Sequence, residues 1–145
     1  MQITWTKDFS VGIEEIDSQH RELFNRINNL DAALRQGKVK EEILRVINFL
    51  DEYAVTHFGT EEKYMVAYDY PDYRHHREKH EWFRREFSGI KNKLGNGTSL
   101  ADIIGLSNHL LIDWFCNHIR TADMSLGGFL KSKLRQHDPS DPRVD

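Results

Sequence analysis

His57-Phe58-Gly59-Thr60-Glu61 ends a run of apolar positions, Ile43, Ile47, Leu50 and Ala54, that continues through His57 and Glu61 to Tyr64. Steps of four and three residues trace one face of a helix, so His57 and Glu61 stand on a buried seam where apolar residues are expected. Four apart, they can aim at one point. Downstream, His76-Arg77-Glu78-Lys79-His80 answers with two histidines at the same spacing, inside the run Tyr73, His76, His80, Phe83, Phe87, Ile90 and Leu94.

Working outward from these pairs gives the fold. Asp17-Ser18 offers an N-cap, and from His20 the positions Leu23, Ile27, Leu30 and Leu34, with Phe24 beside them, predict a first helix ending near Gly37. The second helix starts around Lys40 and stops before Pro71, which suits the first turn of the third. Gly95-Asn96-Gly97 marks the next turn, and Ser99 with Asp102 resembles a capping box. Leu100, Ile104, Ser107, Leu111, Trp114 and His118 then predict a fourth helix. Leu126, Phe129, Leu130 and Leu134 place a short terminal helix over 123–137, followed by a polar tail, 138–145. Residues 1–17 read as an arm whose Trp5, Phe9, Val11, Ile13 and Ile16 lie on the bundle.

The expected fold is therefore all-α: one domain over 1–145, an up-down-up-down four-helix bundle over 18–122 with an N-terminal arm and a short C-terminal helix. That topology brings the start of the first helix, the end of the second, the start of the third and the end of the fourth to one end. His20, His57, Glu61, His76, His80 and His118 all converge there. Leu34, Ile43, Ile90, Leu94 and Leu100 are left to fill the other end.

Composition narrows the class. The 145 residues are 30% charged and 11% aromatic, with three prolines and a net charge of −3, and no basic patch suggests nucleic acid. Neither a signal-peptide pattern at Met1-Gln2-Ile3-Thr4-Trp5 nor an apolar run of about 18 residues is present, so a cytoplasmic protein with no membrane partner is expected. A single cysteine, Cys116, leaves no internal disulfide and reads as a small packing residue. Eight histidines are the oddity.

A lone histidine on an apolar face is usually a hydrogen-bonded core residue. Five on four seams at one end, with buried carboxylates, are different: burying Glu61 and Asp123 unpartnered would cost several kcal/mol each, and no lysine or arginine on the seams compensates them. Metal ions supply the missing charge. Imidazole with carboxylate suits iron, zinc, manganese or copper alike. The ligand number exceeds one ion's needs; two octahedral ions sharing two bridging carboxylates and a bridging oxygen would keep one position open.

In order and spacing, His20, His57-x-x-x-Glu61, His76-x-x-x-His80 and His118-x-x-x-x-Asp123 match the ligand pattern of the hemerythrins. Trp5, Val11-Gly12-Ile13, Asp17-x-Gln19-His20, Tyr70-Pro71 and Trp114-x-x-x-His118-Ile119 extend the resemblance over residues 5 to about 130. The resemblance implies two iron ions bridged by two carboxylates and an oxo or hydroxo group, binding dioxygen reversibly for carriage, storage or sensing. His76, His80 and His118 would complete one iron, His20 and His57 would bind the other, and Glu61 and Asp123 would bridge them. Leu23, Phe58, Trp114, Phe115 and Ile119 are the expected dioxygen-pocket residues by their nearness to ligands. The family often has leucine where this chain has Phe115, whose larger ring would narrow access.

His118 and Asp123 are five positions apart, about 140° off one face of an ideal helix, so the fourth helix is expected to loosen, bulge or end between them. His75, His109 and His137 read as incidental. A binding protein is favoured over an enzyme because carboxylate-rich di-iron enzymes use about four carboxylates and a Glu-x-x-His spacing. The alternatives are a di-iron oxidase or peroxidase, and an iron- or oxygen-responsive regulatory module whose protein partners are unknown.

Overall fold

A computed structural model describes residues 2–136, so His137 and the 138–145 tail lie outside the described residues. The main helices are α1 (Glu14–Arg35), α2 (Lys40–Ala67), α3 (Tyr73–Gly95) and α4 (Leu100–Ser107). From α4 the backbone runs on without a break through a wide-turned π segment (Asn108–Trp114), α5 (Phe115–His118), a second π segment (Ile119–Asp123) and α6 (Met124–Gln136). The terminal helix is thus a continuation of the fourth rod. Helix α1 packs on α2 and α4, and α3 on the same two, which closes a four-helix bundle with no strand among the described residues.

Local chemistry accounts for most ends. Gly37, at φ 64°, donates to the Leu34 carbonyl while Lys38 reaches Ala33, so α1 stops in a left-handed turn that glycine adopts without strain. Ser99 caps α4 by accepting from the Asp102 N–H at 3.2 Å. Two ends differ from expectation. Helix α1 begins at Glu14, because the Asp17 carboxylate does not cap from outside: it accepts from Ser10 Oγ at 2.6 Å and from the Val11 N–H at 2.8 Å, fastening the arm to a helix already formed. Pro71 lies in the turn before α3 rather than in its first turn.

The arm lies on the bundle as expected. Phe9, Val11 and Ile13 are buried, Ile3 pairs its N–H and carbonyl with the Asn28 amide, and the Arg120 guanidinium covers the Phe9 ring. It also packs tightly on α6, where a Cβ on Gly127 would stand 2.1 Å from the Val11 carbonyl oxygen. Backbone cannot yield as a side chain can. Gly127→Ala should therefore lose about 1–3 kcal/mol by forcing the arm away, and Gly128→Ala, with open space at its Cβ, should not; thermal unfolding of both variants checks this.

Away from the polar end, Leu34, Ile43, Ile90 and Leu94 are buried as expected. The fourth rod departs from its predicted seam. In α4 Ile103 is buried where Leu100 and Ile104 are only partly so, and after the wide turn over Asn108–Trp114, which moves the face that follows it, Phe115 is buried where Trp114 is only partly so.

Candidate metal centre

Four elements bring seven side chains to one point. His20 comes from the first half of α1, His57 and Glu61 from α2, His76 and His80 from α3, and His118 and Asp123 from the fourth rod; all are buried. The last pair needs the second π segment: hydrogen bonding from i to i+5 stacks residues five apart, which an α-helix does not. The loosening expected between them is there.

The carboxylates divide the histidines into two sets. Glu61 Oε1 lies 3.0 Å from His80 Nε2 and 3.4 Å from His76 Nε2, and Asp123 Oδ1 lies 3.0 Å from His76 Nε2 and 3.1 Å from His118 Nε2. The other oxygens face the remaining pair. Glu61 Oε2 is 3.2 Å from His57 Nε2 and 3.6 Å from His20 Nε2, and Asp123 Oδ2 is 3.0 Å from His20 Nε2. Each carboxylate gives one oxygen to each set.

None of these approaches has hydrogen-bond geometry, so five Nε2 atoms and four carboxylate oxygens are buried without a partner among the described residues. Such a cluster would be costly in a metal-free core. Ligands about 2.1 Å from one ion and at right angles stand about 3.0 Å apart, close to the spacing observed. The residues fit two cations.

Electrostatics make the same point for the metal-free chain. Burial alone would raise the Glu61 carboxyl, but the surrounding imidazoles, His57 foremost, hold it well below the usual range. Asp123 is pushed up by burial and by Glu61, yet held low by His118 and His20. Burial opposes charging His20 and His76, but the two carboxylates win and raise both to about 9. His57 goes the other way, lowered chiefly by burial. Protons here occupy places that cations would take.

Two supporting residues were not singled out from the sequence. Gln19 Oε1 accepts from His57 Nδ1 at 2.8 Å, and its amide nitrogen donates to Thr60 Oγ1 at 3.0 Å. Glu62 Oε2 lies 2.9 Å from His80 Nδ1. Each leaves its histidine's Nε2 free to face inward. Nothing in sequence separates Glu62 from an ordinary solvated acid; Gln19 stands in the Asp17-x-Gln19-His20 motif of the resemblance, with no role given to it there.

The expected pocket residues divide as well. Leu23, Phe58, Phe115 and Ile119 are buried. Phe115 lies 6.0 Å from the His20 ring, and Phe58 is 5.7 Å from His57 and stacks on His80 at 4.0 Å. Trp114 stacks on His118 instead, on the three-histidine side. His75 and His109 are exposed beside Asp72 and Asp113.

Comparison with known proteins agrees. Residues 11–130 match the hemerythrin HHE cation binding domain. The chain is 36% identical over 121 residues to a bacteriohemerythrin of Pseudomonas aeruginosa, covering 83% of this chain and 76% of that protein. It is 31% identical to a hemerythrin-like protein of Naegleria fowleri, covering 87% of this chain and 92% of that one. A crystal structure of wild-type hemerythrin superposes with a TM-score of 0.79 at 27% identity, over 90% of this chain and 98% of that chain.

Proposed function

The chain belongs to the hemerythrin family of metal-binding, oxygen-binding proteins, and from that premise we propose that it binds dioxygen reversibly at two iron ions held by these seven side chains. The observation that carries the reading is the division of oxygens, with Oε1 and Oδ1 toward three histidines and Oε2 and Oδ2 toward two. His76, His80 and His118 would hold one ion and His20 and His57 the other, with Glu61 and Asp123 each offering an oxygen to both. Two ferrous ions, when bound, would supply the two electrons that dioxygen binding takes, and the set with fewer histidines would leave more room for the ligand.

The chain's own residues set the conditions. Gln19 keeps the proton of His57 on Nδ1, and Glu62 does the same for His80, so both rings present lone pairs inward. Phe115, Phe58, Leu23 and Ile119 exclude water from the site, and apolar surroundings favour a neutral diatomic ligand over an ion. Five neutral imidazoles with two carboxylates stabilise high oxidation states less than a carboxylate-rich set. A binding protein rather than an oxidase is therefore our reading, and a single cytoplasmic domain belongs with it. No helix among the described residues is long and apolar enough to cross a membrane.

The test is an anaerobic ferrous titration of the metal-free protein, with optical spectra before dioxygen, after it and after its removal. Saturation at two irons per chain and a colour that comes and goes with dioxygen are expected. Rapid irreversible conversion to a ferric form would instead favour an oxidase or a sensor. Gln19→Ala should weaken metal affinity about 10–100-fold without unfolding the bundle, as measured by competition with a chelator.

A further inference from the structure

A line of aromatic rings runs from the surface to the centre. Trp82, on α3, is 37% exposed. Its indole lies 5.2 Å from that of Trp114, centroid to centroid, and Trp114 stacks on the His118 imidazole at 4.8 Å, 13° from parallel. A branch leaves Trp114 for Phe83 at 5.5 Å, then Phe58 at 5.5 Å, then the His80 ring at 4.0 Å. Both ends are histidines of the three-histidine set. Core packing accounts for Phe83 and Phe58, which are buried; it does not account for an indole left more than a third exposed against a second indole.

Touching π systems couple electronically better than saturated side chains, so this line connects solvent with the metal positions through ring contacts, beside the contact of half-buried Tyr70 with His76 at 6.4 Å. A centre that binds dioxygen in the ferrous state stops binding it once oxidised to ferric. It then needs electrons from outside, and its own ligands are buried.

We propose that Trp82 and Trp114 form an electron-entry path, in which a one-electron donor docks on the Trp82 indole and passes its electron through Trp114 to the ion held by His118. The proposal rests on the di-iron reading above. Each passage oxidises one donor by one electron and reduces one ferric ion to ferrous; two passages restore both ions, and the bridging oxygen takes its compensating proton from water. Trp82 and Trp114 are positioning residues here, since neither offers a ligand atom.

The experiment mixes the ferric, iron-loaded protein anaerobically with reduced methyl viologen, a planar one-electron donor, and follows loss of both the viologen and ferric absorptions. Trp82→Leu should slow the reduction several-fold with iron content and ferric spectrum unchanged. Trp82→Phe, which keeps a ring, should recover part of the rate. Phe49→Leu removes another exposed aromatic, on α2, and should reduce like the wild type. A wild-type rate in Trp82→Leu at full loading overturns the path alone, as does equal slowing in Phe49→Leu. A wild-type protein that does not load two irons per chain overturns the di-iron reading and the path with it.

Discussion

Glu61→Ala should reduce bound iron from two ions per chain to less than one, whereas His118→Ala should lose mainly the ion on the three-histidine side. The difference follows from position. Glu61 Oε1 approaches His76 and His80, and Oε2 approaches His20 and His57, so one truncation takes an oxygen and a negative charge from both ions. Of the two carboxylates, His118 approaches only Asp123, at Oδ1. Without Glu61, five imidazoles share one carboxylate, and two divalent cations a few ångströms apart in a buried site repel with little to screen them. Iron per chain by metal analysis after loading, together with the optical spectrum, decides it. Two irons retained in Glu61→Ala would remove that carboxylate from the bridge.

The metal-free protein should be most stable near neutral pH and should lose stability as pH rises through about 9, while the iron-loaded protein should not. His20 and His76 are raised from 6.5 to about 9, so their contribution is fully present below 6.5 and lost as pH climbs through 9. Deprotonating them removes most of the charge that compensates the buried Glu61 and Asp123. On the acid side His57 acts oppositely: its lowered pKa means that the unfolded chain takes the proton more readily, so stability falls below 6.5.

Each raised histidine is worth at most about 3 kcal/mol, and they share the same carboxylates, so a fall of roughly 10 °C in Tm between pH 7 and pH 9.5 is expected for the metal-free chain. In the loaded protein those nitrogens bind metal instead of protons, and the fall should vanish. Iron affinity should also rise with pH over the same range, because loading must expel the protons. Paired thermal scans of metal-free and loaded protein at the two pH values are the check. Equal losses in both would mean that the ring nitrogens titrate alike with and without iron.

Much of this was readable from the chain. The three-four spacing through His57 and Glu61, and again through His76 and His80, gave the helices and marked the seam positions where polar residues break an apolar row. Short turns then forced neighbours to run antiparallel, and antiparallel order alone sends all seam histidines to one end. What misled was chemistry acting backwards or over several turns. Asp17 looked like a cap for a helix after it, but its carboxylate serves the Val11 N–H before it. Trp114 looked like a seam residue, but the wide turn over Asn108–Trp114 gives that place to Phe115.

The sequence by itself therefore determined the helices, their order and the ligand types at one end, because hydrophobic period and turn chemistry are local properties. Only the tertiary structure decided which carboxylate oxygen faces which histidine, that Gln19 and Glu62 lie against the Nδ1 atoms of His57 and His80, and that Trp82 reaches His118 through Trp114. These depend on which oxygen or ring of one helix faces which atom of another. That relation is set by packing angle and by the wide turns of the fourth rod, and residue spacing within a single helix does not contain it.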